Sequence, residues 1–160
     1  MNGPPELGLE VLGIEAGTTA ATPVLSLRVG LRRVDGGPVQ CVLLTTTVTI
    51  AAAGLSWARA GATVPTFRGG TELTLTLPCR PVVPAVAEQC RPHTVDGGGV
   101  PLDLAFDGTV FYPGENGTRA GQAPWRHETT TVLPVRAWRD LLRDHDPREG
   151  EPLREGEPTA

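Results

Sequence analysis

Leu25-Ser26-Leu27-Arg28-Val29-Gly30-Leu31-Arg32 alternates without a break between apolar residues and polar or small ones. Leu25, Leu27, Val29 and Leu31 hold the odd positions, with Ser26, Arg28, Gly30 and Arg32 between them. Side chains alternate across a strand with a period of two, so this spacing sends one face to a core and the other to water. Val34-Asp35-Gly36-Gly37-Pro38 follows, and its Asp-Gly and Gly-Gly steps supply the positive φ that tight hairpins need. Beyond it Val42, Leu44, Thr46, Val48 and Ile50 alternate in a run rich in β-branched residues. Together these runs predict an antiparallel hairpin from Leu25 to Ile50.

Toward the N-terminus, Leu7, Leu9 and Val11 alternate through a first strand that reaches Ile14. Residues 52–69 keep no sustained period, which predicts a crossing loop with Trp57 and Phe67 plugging one end of the fold. Leu73, Leu75 and Leu77 make a strand that stops at Pro78. From Cys79 to Gly99 the signal is mixed. Pro81 and Pro84 each remove a ladder donor, so an irregular edge segment or a single helical turn at Ala85–Cys90 is expected. After the Val95–Gly99 turn, Val100, Leu102, Leu104 and Phe106 resume alternation, Asp107-Gly108 predicts a kink or bulge, and Val110-Phe111-Tyr112 continues the strand. Pro113–Gly117 is a second hairpin turn, and a loop through Pro124 and Trp125 leads to a strand over Glu128–Leu133.

A helix is predicted from Pro134 to Asp144, with proline in its first turn, where a missing N–H costs nothing. Val135, Trp138, Leu141 and Leu142 form its apolar stripe, and Arg136, Arg139, Asp140 and Arg143 take the other side. From Asp146 the chain reads as a disordered tail in which Arg-Glu-Gly-Glu-Pro occurs twice. The expected fold class is mainly β: an antiparallel two-sheet β-sandwich, immunoglobulin-like or related, with one C-terminal amphipathic α-helix. One domain covers residues 6–145, and the tail covers 146–160.

Composition narrows the function classes. The chain has 160 residues, a net charge of −4 and 14 basic residues, all arginine. Arg32-Arg33 and Arg136, Arg139 and Arg143 are its only local basic groupings, which argues against a nucleic-acid partner. No run approaches the ~20 apolar residues that span a bilayer, and the first residues lack the pattern of a secretory signal. A cytoplasmic protein without a membrane partner is expected. Asn116-Gly117-Thr118 is then a turn rather than a glycan acceptor.

Few residues carry candidate chemistry. Cys79, Cys90 and His93 make a C-x10-C-x2-H pattern with one close ligand pair, whereas structural zinc sites use two. A metal there would need a fourth ligand from His127, a carboxylate or Cys41. A cysteine with His127 could also form a nucleophile–base pair if the fold brought them together. Asp35, Asp96, Asp103 and Asp107 lack the density of a calcium loop, and Asp in an Asp-Gly turn serves backbone geometry. Trp57 reads as an end plug of the crossing loop and Trp138 as core. Trp125 with Arg126 is the candidate contact pair for a protein partner, and packing beneath the last loop is the competing role for Trp125.

Leu104-Ala105-Phe106-Asp107-Gly108-Thr109-Val110-Phe111-Tyr112, the run from Pro124-Trp125 through Leu133-Pro134-Val135, and Trp138-Arg139-Asp140-Leu141 resemble a domain-of-unknown-function family of high-GC bacteria. Leu9–Gly13 and the segment from Gly69–Glu72 to Pro78-Cys79 are similar too. The resemblance covers most of residues 7–144 and includes no catalytic motif. The chain departs from the family pattern in lacking a helical insert at residues 52–60, so a binding surface carried there would be missing. Proteins of this kind tend to be encoded near nickel–iron hydrogenase genes and their maturation factors. The resemblance implies an accessory or assembly role, and with no converging polar residues in the sequence a non-enzymatic accessory or protein-interaction domain without a cofactor is expected. The alternative is a small metal- or ligand-binding β domain using Cys79, Cys90 and His93.

Overall fold

Each aliphatic run with period two forms a strand, but the strands do not pair as their order suggests. The computed structural model describes residues 5–19, 22–82, 84–95, 99–114 and 120–145, the side chains of residues 18, 19, 89, 91–95 and 143–145 apart. The tail from Asp146, Asp96 and the Asn116–Thr118 turn lie outside the described residues. The chain is mainly β, with antiparallel sheets and two short helices. In order the elements are β1 (Leu7–Thr19), β2 (Thr22–Arg33), β3 (Pro38–Val39), β4 (Cys41–Ile50), β5 (Leu55–Val64), β6 (Phe67–Arg68) and β7 (Gly70–Pro78), then α1 (Pro84–Val95), β8 (Val100–Tyr112), β9 (Gly121–Leu133) and α2 (Val135–His145).

Three sheets result among the described residues: β1-β2-β7, β5-β4-β8-β9 and the small ribbon β3-β6. Leu25, Leu27, Val29 and Leu31 of β2 share one apolar cluster with Val42, Leu44, Val48 and Ile50 of β4, Leu102, Leu104 and Phe106 of β8, and Trp138 and Leu141 of α2. Full burial of such a side chain contributes roughly 1.5–3 kcal/mol, so this shared cluster is the main force joining the two large sheets. Trp57 and Trp138 meet edge to face, with ring centroids 5.6 Å apart, and seat α2 against β5. The large sheets also touch at their rims. The Ala58–Cys79 bridge and the Arg80 N–H donating to the Trp57 carbonyl at 2.9 Å link β5 to the end of β7.

The expected Leu25–Ile50 hairpin does not form. β2 pairs with β1 and β7, whereas β4 pairs with β5 and β8. Periodicity identifies a buried face but not a hydrogen-bonded partner. The Val34–Pro38 turn instead carries the chain from one sheet to the other. It is fixed by Gly36 at φ 79°, by the Gly37 N–H donating to Asp35 Oδ1 at 2.9 Å and by the Gly69 N–H donating to the Gly37 carbonyl at 3.0 Å.

Residues 52–69 are not a crossing loop either, because β5 occupies ten of them. Its inward positions Ala58, Ala60 and Ala62 are small, so the period is invisible to a search for large apolar residues. A register shift between Val48 and Thr49 leaves Trp57 as an extra residue on β5, which lets both Trp57 and Ala58 be buried. α1 is three turns long rather than one, despite Pro92, which forfeits a helical hydrogen bond. β8 runs through Asp107-Gly108 without a shift of register. Gly108 instead permits close approach, since a Cβ there would stand 1.9 Å from the Leu43 carbonyl oxygen. Pro124 and Trp125 belong to β9, an edge strand of its sheet, where proline is tolerated.

Candidate functional site

The β8–β9 ladder sets Asp107 opposite Arg126 and, one step earlier, Phe106 opposite His127. Neighbouring positions point to opposite faces, so the Phe106 pair lies on the core side and the Asp107 pair on the outer face. Arg126 donates through Nε to Glu128 Oε2 at 2.9 Å, through Nη2 to the same oxygen and through Nη1 to Asp107 Oδ1. These carboxylates, Glu128 first and then Asp107, push the Arg126 guanidinium still higher than its ordinary value. All three groups are largely exposed, so the triad adds little stability. It gives one arginine two carboxylate partners on the outer face of the sheet.

That surface is rich in threonine. Thr45 pairs with Asp107, and Thr47, Thr49, Thr109 and Thr130 share its outward parity. Leu43 and Val132, at 46% and 48% exposure, are its large apolar residues. A shallow depression lies over Ala105, bounded by Thr49, Asp103, Glu128 and Thr130.

Trp125 and Arg126 are adjacent in sequence but serve opposite faces. Trp125 pairs with Gly108, is half-buried and packs against the core cluster. Its Nε1–H donates to the Leu7 carbonyl at 3.3 Å, tying β9 to β1, and its ring stacks on His127 with centroids 6.2 Å apart. Of the predicted contact pair, only Arg126 is on the outer surface.

Cys79 follows β7 and Cys90 sits on α1, and both are buried in the core cluster. Burial pushes the Cys79 thiol to about 12 and raises that of Cys90, whereas a metal ligand must be thiolate. His93 lies on α1, and its side chain is outside the described residues. Among the described residues no three His, Cys, Asp or Glu side chains gather as metal ligands do. Cys41 pairs with Phe111, five positions along β8 from the partner of His127 and on the opposite parity. The fold therefore keeps Cys41 and His127 apart. Asp35 is held below the usual carboxylate range, first by the Gly37 N–H and then by Arg33, which accounts for it as a turn residue.

Two features escaped the sequence reading. The Thr46 side chain is fully buried and its Oγ1 has no hydrogen-bond partner among the described residues. Glu10 on β1 and Glu72 on β7 flank Gly30 across the outer face of the three-stranded sheet. Periodicity marks these glutamates as solvent-facing but cannot say that they share a neighbour.

No curated protein matches the chain. A crystal structure of a protein from Archaeoglobus fulgidus is similar over 78% of this chain and 98% of that one, at 15% identity and a TM-score of 0.39, too slight a likeness to assign a fold family. The model of a family of unknown function, DUF6084, matches residues 51–151. That span runs from the turn before β5 through α2 and contains the whole β8–β9 ladder with the Asp107–Arg126–Glu128 triad, while Leu9–Gly13 falls before it. The chain belongs to the DUF6084 family of unknown function.

Proposed function

We propose that this chain is a non-enzymatic accessory domain, an immunoglobulin-like sandwich acting in the cytoplasm, that docks a protein partner through the outer face of its four-stranded sheet. The observation carrying this reading is the Asp107–Arg126–Glu128 triad, set on a threonine-lined outer face with Leu43 exposed nearby. Arginine is enriched among the residues that dominate interface energetics. A net charge of −4 speaks for a protein partner over nucleic acid. No helix among the described residues is long and apolar enough to cross a membrane.

The resemblance to proteins encoded beside nickel–iron hydrogenase genes makes a hydrogenase subunit or maturation factor the first partner to test. Tagged protein expressed in its native host should recover that partner, and Arg126→Ala with Leu43→Asp should lose it. Recovery undiminished by both changes would exclude this face. A second reading, resting on the C-x10-C-x2-H spacing, puts a metal at Cys79, Cys90 and His93. Stoichiometric zinc in purified protein, abolished by Cys90→Ala, would establish it.

A further inference from the structure

The other large sheet turns outward a pattern of charge that complements itself. On its central strand β2, Arg32 pairs with Gly8 and Gly70, Gly30 with Glu10 and Glu72, and Arg28 with Gly13 and Thr74. Gly30 thus has an arginine on either side along its own strand, about 6.7 Å away, and a glutamate on either side across the sheet, about 5 Å away. All four charged side chains are exposed, and among the described residues no ion pair engages them.

The centre of this ring is apolar. The register of β1 shifts between Val11 and Gly13, which leaves Leu12 without a partner on β2. Its Cδ1 lies 3.6 Å from where a Cβ on Gly30 would stand, so the side chain covers Gly30 on the outer face. Around it the glycines at 8, 30 and 70 contribute no side chains, and an open groove runs over them beside Thr71 and the exposed Val34.

We propose that this face binds the same face of a second copy of the chain, with the two sheets crossed at near right angles and Leu12 meeting Leu12 inside a ring of four Arg–Glu pairs. A two-fold axis in the interface plane makes such a contact isologous and closes it at the dimer. With strands aligned, that axis sets Arg over Arg and Glu over Glu. With the axis along the diagonal it exchanges the strand and cross-strand directions, setting each arginine over a glutamate of the other copy. The residual offset is about 2 Å on the strand dimensions, within the reach of both side chains. Crossed packing is one of the two ways sheets stack. Two three-stranded sheets, each about 15 Å wide, overlap when crossed on only about 200 Å², well short of the roughly 800 Å² per partner of a standard interface, so the dimer is weak and salt-sensitive.

Sedimentation equilibrium up to about 1 mM protein tests this at low and high salt, a range that detects the weakest specific associations. The wild type should approach dimer mass at low salt and lose most of that association at high salt. Glu10→Arg/Glu72→Arg carries four positive charges on the face, Arg28→Glu/Arg32→Glu carries four negative ones, and each should weaken self-association about tenfold or more. Mixing the two variants should give a heterodimer, which only folded chains with complementary faces can form. A wild type that stays monomeric, variants that dimerise as it does, or a mixture without heterodimer would overturn the proposal. None of these outcomes bears on the Arg126 face, which lies on the other large sheet.

Discussion

Replacing Thr46 by valine should make this protein more stable. Thr46 is fully buried between Ala60 on β5 and Phe106 on β8, and its hydroxyl finds no partner among the described residues. A hydroxyl moved from water to such a site without a hydrogen bond costs about 1–3 kcal/mol by mutational measures. Valine has the same branched shape and the same χ1 restriction, so strand propensity and packing change little. The net gain should be about 1–2 kcal/mol, which for a chain of this length raises Tm by about 3–6 °C. Calorimetry and urea titration measure it, with the m-value unchanged. Thr46→Ser keeps the hydroxyl but removes a buried methyl, and should lose about 1 kcal/mol. Thr47→Val, on the outer face of the same strand, should stay within about 0.5 kcal/mol of wild type. A Thr46→Val protein no more stable than wild type would show that the hydroxyl is satisfied and sink the argument.

Trp125→Phe keeps an aromatic ring over His127 but loses the donor to the Leu7 carbonyl; it should cost about 1 kcal/mol and speed amide exchange at the start of β1. Gly108→Ala places a Cβ against the Leu43 carbonyl, backbone against backbone, and should cost about 3 kcal/mol or more in urea titration. A thiol reagent at mild pH should modify half-buried Cys41 well before buried Cys79 and Cys90, with all three reacting in denaturant. Cys79, raised from 9.0 to about 12, contributes stability fully below its unfolded value and loses it as pH rises through the folded one, because the unfolded chain ionises first. Cys79→Ala should therefore flatten the stability curve across that alkaline window.

The buried faces were legible in the sequence because they depend on local spacing. Leu25, Leu27, Val29 and Leu31, and Val42 through Ile50, are inward as their parity requires. The partner of each strand was not legible. The Asp35–Gly37 turn is compatible with a hairpin, and contacts between Gly69 and Gly37, 32 residues apart in the chain, decide where it leads. β5 escaped notice because alanine and glycine fill its alternating positions, and α1 because Pro92 interrupts the usual signal. In the candidate surface, Arg126 could be singled out as polar and exposed. Its clamping by Asp107 depends on a cross-strand register that no local pattern encodes.

The extra residue in β1 also bears on how the chain can change length. Removing one codon from the middle of β2, at Val29 for instance, would turn every side chain beyond it inside out. Loss of the Leu12 codon would not. Leu7, Leu9 and Val11 would still face the interior on one side, with Ile14 and Ala16 doing so on the other, since every remaining β1 residue would keep its partner on β2. Such a shortened chain would lack the apolar group above Gly30 while Glu10, Glu72, Arg28 and Arg32 stayed in place. Position 12 is thus a natural point of length variation, where the sheet survives a deletion and only its outward-facing surface is rewritten.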